Sequence, residues 1–265
     1  MSEKKQSIPV FVVDAFASNP FEGNPAAICP LTEWLPDALM QQIAMENNLS
    51  ETAFIVPHED AWQIRWFTPT VEVDLCGHAT LAAAHVFYTM LGHQDPAIRF
   101  FSKSGWLTVY RAAEGLTLDF PADQATPVGM DEQIVRGLGI RPLSLWKGTF
   151  DYMAVLENEQ QVRELRPDFS ILASIKARGI LVTARGEQAD FVSRCFFPPS
   201  GVNEDPVTGS AHCLLTPFWG AQLNRMQMEA LQLSDRKGYL RCEWKGDRVW
   251  MTGSARIYLK GEIFI

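Results

Sequence analysis

Residues 67–87 read FTPTVEVDLCGHATLAAAHVF, and residues 196–218 read FFPPSGVNEDPVTGSAHCLLTPF. Each stretch runs through an aromatic, a proline, a loop with acids, a glycine, a polar residue and then small apolar residues. A period of about half the chain is too long for a solenoid and fits domain duplication. The expectation is a doubled fold with a pocket between its halves, residues 1–120 and 121–265, the last strand returning to the first half. Only the first copy carries an isolated glutamate upstream, Glu51. Unequal chemistry in two like halves points to an enzyme rather than a structural repeat.

Reading outward from the two stretches, the same order of elements recurs. Before the first comes LPDALMQQIAMENNLSETAFIV, with Leu39, Ile43 and Ala44 on one helical face and Pro36 at the helix start. Before the second comes RPDFSILASIKARGILVTA, with Pro167 and Asp168 in the matching place. Each helix leads to a hairpin, FIVPHEDAWQIRWF or ILVTARGEQADFVSRCFF, and Gln63 to Phe67 alternate like a half-buried strand. After each stretch comes a segment apolar nearly all round, the second interrupted by Pro217; helices of that kind are buried. In a strand-rich chain this predicts a helix running through a curled sheet. The fold class expected is α+β, two pseudo-symmetric domains, each a curled, barrel-like mixed sheet around a central helix. Residues 121–142 read as a linker holding a short helix from Asp131 to Leu138, ended by Gly139.

Composition narrows the function classes. With 47% hydrophobic and 20% charged residues in 265, the chain is neither disordered nor fibrous. A net charge of −8 without a basic cluster excludes non-specific nucleic-acid binding, which needs cations to displace counterions. The five cysteines, an odd number with no CxxC pair, read as reduced thiols of a cytoplasmic protein. The start, MSEKKQSIPVFVV, has no h-region with a cleavage site, so no signal peptide is expected. The apolar run from Ala79 to Leu91 is too short to span a bilayer and contains His85, so no membrane partner is expected. Dinucleotide, Walker, nucleophile-elbow and paired-histidine motifs are missing, which leaves nucleotides, metals and a serine nucleophile without support.

The candidate residues cluster around the repeats. Gly77-His78 and Gly209-Ser210 each place a glycine at a helix start, where four amides lack internal acceptors and carry partial positive charge. Two such ends suit a carboxylate; two ordinary turns are the plainer alternative, and the duplication favours binding. Glu51 falls where a helix meets an apolar strand, and desolvation there raises a carboxyl pKa toward neutrality, as a proton shuttle requires. The matching region near Ala177 and Arg178 has no carboxylate. His78 suits a donor or shuttle. Asp205, held extended by Pro206, suits orienting a substrate group or His78, or else an Asx-type turn. Cys76 reads as a packed, non-catalytic thiol, since no second thiol stands at the matching place. His85 and His212 read as packed groups, His58 and His93 as solvated ones.

At Val13-Asp14-Ala15-Phe16, Phe21-Glu22-Gly23-Asn24-Pro25, Leu49-Ser50-Glu51-Thr52, Phe67-Thr68-Pro69, Gly77-His78 and the run from Glu204 to Ser210, the chain resembles the phenazine-biosynthesis PhzF-like family of the diaminopimelate epimerase-like fold. The resemblance implies a cofactor-free isomerase, commonly a homodimer, that moves a proton on a small carboxylic acid. It places the catalytic glutamate on Glu51, and the histidine, aspartate and Gly-Ser carboxylate site on His78, Asp205, Gly209 and Ser210. Gly77, with Asn24 and Ser50 from the matching segments, joins the substrate-binding candidates. The epimerase branch uses two cysteines and this chain offers Cys76 alone, which speaks against amino-acid racemisation. An epimerase working through Cys76 and a non-catalytic small-molecule binder are the rival readings.

Overall fold

The computed structural model describes residues 7–265; the charged tip, residues 1–6, lies outside them. Two compact units result, residues 1–119 with 252–265, and residues 120–251. Among the described residues the helices are α1 (Asp37–Asn47), α2 (Gly77–Thr89), α3 (Glu132–Leu138), α4 (Glu159–Glu164), α5 (Phe169–Leu172) and α6 (Gly209–Leu223). The architecture is α+β with mixed sheets. No helix among the described residues is long and apolar enough to cross a membrane.

In the first unit, strand Ser7–Ala15 pairs antiparallel with Asn24–Pro30 and with the returning strand Ala255–Phe264. Asn24–Pro30 runs parallel to Glu51–His58, which forms a hairpin with Ala61–Phe67. That strand takes Glu72–Val73 antiparallel and Ala97–Ser102 parallel, and the latter turns back into Gly105–Ala112. The second unit repeats the succession. Ser144–Lys147 pairs antiparallel with Asp151–Val155 and Thr126–Val128; Asp151–Val155 runs parallel to Gly179–Arg185, which forms a hairpin with Phe191–Phe197. Then come Val202–Asp205 antiparallel, Gln227–Gln232 parallel, and the turn back into Gly238–Lys245.

Helix α2 explains the curl of the first sheet. Its small side chains let strands approach on every side, and it packs against Ser7–Ala15, Asn24–Pro30, Glu51–His58, Gly105–Ala112 and Ala255–Phe264. A helix apolar all round has no solvent face, so the sheet must wrap it. Helix α6 is buried in the same manner. The amphipathic α1 lies outside, its Met40, Ile43 and Ala44 closing a core with Phe54 and Phe67; Met40 takes the inward place that the sequence suggested for Leu39, which is half-buried.

Four further expectations change. Helix α6 runs straight through Pro217. Proline lacks the N–H that would bond to the Cys213 carbonyl, but that carbonyl accepts from the Asp123 amide instead, at 2.9 Å. Residues 121–142 are no linker: Thr126–Val128 joins the sheet, and α3 is capped by the Asp131 side chain and ended by left-handed Gly139. The helix before the second hairpin shrinks to the single turn α5, Phe169–Leu172, after which the chain runs on to Arg178, whose guanidinium meets Asp151. His58 and His93 are half-buried rather than solvated: His58 stacks on Phe101, and His93 packs on Tyr88 with Nε2 3.2 Å from the Ala97 carbonyl.

Candidate active site

In the first unit, three elements end at one place. Strand Glu51–His58 starts with Glu51, strand Asn24–Pro30 starts with Asn24, and α2 starts with Gly77-His78 behind the N-cap residue Cys76. The parallel register sets Ala26 beside Glu51, so both strand starts share one end of the sheet. His78 is buried, with Glu51 Oε2 3.0 Å from its Nε2 and the Asn24 amide nitrogen 3.3 Å from its Nδ1. Cys76 Sγ lies 3.5 Å from the same Nδ1. Glu51 Oε2 and His78 Nε2 are fully buried and approach without the alignment of a hydrogen bond.

Burial alone would push the His78 imidazole down. The Cys76 sulfur and the Glu51 carboxylate outweigh it and hold its pKa well above the usual histidine range. Burial first, and then the Glu51 charge, push the Cys76 thiol up to about 11. That sulfur is therefore neutral at pH 7, and Glu51 is the charge that favours the imidazolium. The amide nitrogen facing Nδ1 suits a ring with no proton there; the imidazolium calls for Asn24 to turn its oxygen inward. Glu51, Cys76 and His78 have ligand atoms within 4.8 Å of one another. Cys76 sits on the Nδ1 side of the ring and Glu51 on the Nε2 side.

In the second unit, α6 starts with Gly209-Ser210 behind Thr208. Asp205 ends strand Val202–Asp205, and its Oδ2 accepts from the Thr208 hydroxyl at 2.6 Å, a local turn contact. The fully buried Gln232 accepts from the Thr208 amide at 2.9 Å and donates to the Asp205 carbonyl at 2.8 Å and to Thr208 Oγ1 at 3.2 Å. His212 bonds back through Nδ1 to the Thr208 carbonyl at 2.8 Å, and burial lowers its pKa to about 4. The remaining cysteines are buried free thiols.

The structure thus brings Glu51, His78 and Asn24 together, with Gly77 at the helix start and Ser50 half-buried beside Glu51. Asn24 is fully buried and braces the imidazole on the side away from Glu51. Asp205, Gly209 and Ser210 form a second group around Thr208 and Gln232. Gln232 escaped the sequence reading; its only signal was an amide inside the apolar run ALQL.

The chain matches the family described as phenazine biosynthesis-like protein, PhzC-PhzF, over residues 13–261. It is 51% identical over 251 residues to an uncharacterized isomerase of Pseudomonas aeruginosa, covering 95% of this chain and 96% of that one. A crystal structure of a phenazine biosynthesis protein of the PhzF family from Enterococcus faecalis superposes with a TM-score of 0.96 at 45% identity, covering 98% of this chain and 100% of that chain. A hydroxyproline epimerase from Agrobacterium vitis shares the fold, with a TM-score of 0.65 at 8% identity over 99% of this chain and 94% of that one. On this combination of sequence coverage and fold, the chain belongs to the PhzF-like, phenazine biosynthesis-like protein family.

Proposed function

We propose that this protein is an isomerase that moves a proton on a small carboxylic acid by the acid–base chemistry of its own side chains. The class follows from its relatives, which are named isomerases. The proton chemistry rests on one observation, the largely buried Glu51 carboxylate 3.0 Å from the buried His78 ring. Glu51 Oε2 faces the His78 ring, which leaves Oε1 as the edge offered to a substrate. In this reading Glu51 takes a proton from one position of the substrate and returns it to another. His78, held by Asn24, supports the charge that develops between the two steps. Each unit offers a helix start to a carboxylate, the Gly77 amide in the first and the Gly209 amide with the Ser210 hydroxyl in the second, where Asp205 suits orienting the migrating system. A thiol held near 11 is a poor base at neutral pH, which weighs against an epimerase working through Cys76.

Incubation with small unsaturated carboxylic acids in deuterated water, read by proton NMR, tests this. The wild type should place deuterium in the acid it turns over. Glu51→Gln should lower that exchange by about 10²–10⁴-fold with an unchanged thermal unfolding curve. Exchange at the wild-type rate in the variant would remove Glu51 from the mechanism.

A further inference from the structure

Arg178 immediately precedes strand Gly179–Arg185 and is held unusually firmly for a side chain that is 35% accessible. Its Nε donates to Asp151 Oδ1 at 2.9 Å, and its Nη2 donates to Asp151 Oδ2. The buried Asp151 thus takes one side of the guanidinium in a two-pronged contact. The rings of Phe150 and Phe197 lie 5.4 and 5.5 Å from the guanidinium carbon. The backbone is fixed too, since the Arg178 amide donates to the Phe150 carbonyl at 2.9 Å. The remaining nitrogen, Nη1, has no partner among the described residues.

An arginine carries five N–H donors in one plane, and an acid on one side leaves donors pointing out of the other. With aromatic rings beside the guanidinium, approach within its plane is favoured, which is how a carboxylate meets a guanidinium. No rotamer freedom is left to lose, so binding an anion there carries little ordering penalty. The placement fits a substrate site. Leu181, on the strand that Arg178 precedes, pairs with Cys195, and Cys195 pairs in turn with Asp205 across the sheet.

We propose that Arg178 is an oxyanion-recognition residue of the second unit, and that the preferred acids are dicarboxylic rather than monocarboxylic. This rests on the reading above, in which helix amides receive the first carboxylate; Arg178 takes the second.

The test compares succinate with butyrate, equal in length and differing by one carboxylate, by calorimetric titration of the full chain. Wild type should bind succinate about tenfold to a hundredfold more tightly, as hydrogen bonds to a charged group imply. Arg178→Met should bring succinate down to butyrate and leave butyrate unchanged. Arg178→Lys, a point charge without the fork, should fall between. A wild type without the preference overturns the proposal, as does an Arg178→Met protein that keeps it. Should Arg178→Met fail to fold, nitrogen-15 spectra of the wild-type arginine side chains decide: the Arg178 signals move on adding succinate, or the proposal falls. Glu51→Gln separates the two readings. It should keep the preference for succinate over butyrate while losing exchange, so that preference without any exchange in wild type strikes only the proton-transfer reading.

Discussion

The strand that begins with Glu51 in the first unit begins with Gly179 in the second. The two are matched by register, Ala26 opposite Glu51 and Asp151 opposite Gly179, at the same step of the same succession of strand pairings. The backbone plan was kept and the acid was not. A Cβ on Gly179 would lie 2.2 Å from a ring carbon of Phe197 and 2.7 Å from the Phe196 carbonyl oxygen. The two helix starts diverge likewise, with His78 second in α2 where Ser210 is second in α6. At the fourth position they converge: Thr80 bonds back to the Cys76 carbonyl at 2.6 Å as His212 does to that of Thr208 at 2.8 Å. The first unit therefore holds an acid and an imidazole, Glu51 and His78, where the second holds amides, hydroxyls and the Arg178 guanidinium.

The strongest way to break this comparison is to ask whether position 179 tolerates a side chain at all. Gly179→Ala should lose about 1–3 kcal/mol of stability or more, because a backbone oxygen cannot swing away as a flexible side chain does. Denaturant titration checks it. A loss under about 1 kcal/mol would mean that glycine there is incidental and that the second unit had room for an acid.

His78 and His212 should respond to pH with opposite signs. The folded pKa of His78 is raised, so its contribution is fully present below about 6.5 and is lost as pH rises through the higher folded value. That of His212 is lowered to about 4, so the unfolded chain takes up a proton that the folded one refuses between about 6.5 and 4. Stability then falls as pH drops across that window, by about 3 kcal/mol. Urea titrations across pH on His78→Gln and His212→Gln should flatten the alkaline and acid sides respectively. The same slope lost in both variants would contradict the contrast.

How much of this was legible follows from the range of each signal. Helix α2 could be read because small apolar residues on every face admit one explanation, and the α1 and α3 boundaries because Pro36, Asp131 and Gly139 act on their own neighbours. Glu51 and His78 stood out as polar residues at the edges of apolar runs. The contacts that fix the site did not. Asn24 meets His78 across 54 residues and Gln232 meets Thr208 across 24, through pairings that no local pattern encodes. Gly179 passed unnoticed because its meaning lies in the Phe197 ring beside it. Pro217 misled for the same reason: the carbonyl it leaves unbonded is satisfied from Asp123, ninety positions upstream of Cys213.

That last substitution of partners carries the smallest expected effect. Counting from the helix-start glycines, Pro217 in α6 occupies the place of His85 in α2. Restoring an N–H with Pro217→Ala should change stability by no more than about 1 kcal/mol, since the Cys213 carbonyl already has its acceptor role filled and a second N–H can only share it. His85→Pro should cost about 3 kcal/mol or more, because a proline there removes the bond to the Leu81 carbonyl and its ring presses on that same oxygen. Thermal unfolding of the two variants side by side gives the ratio. Equal losses would show that the Asp123 amide is not what allows a proline inside α6, and that the two helices are more alike than their sequences.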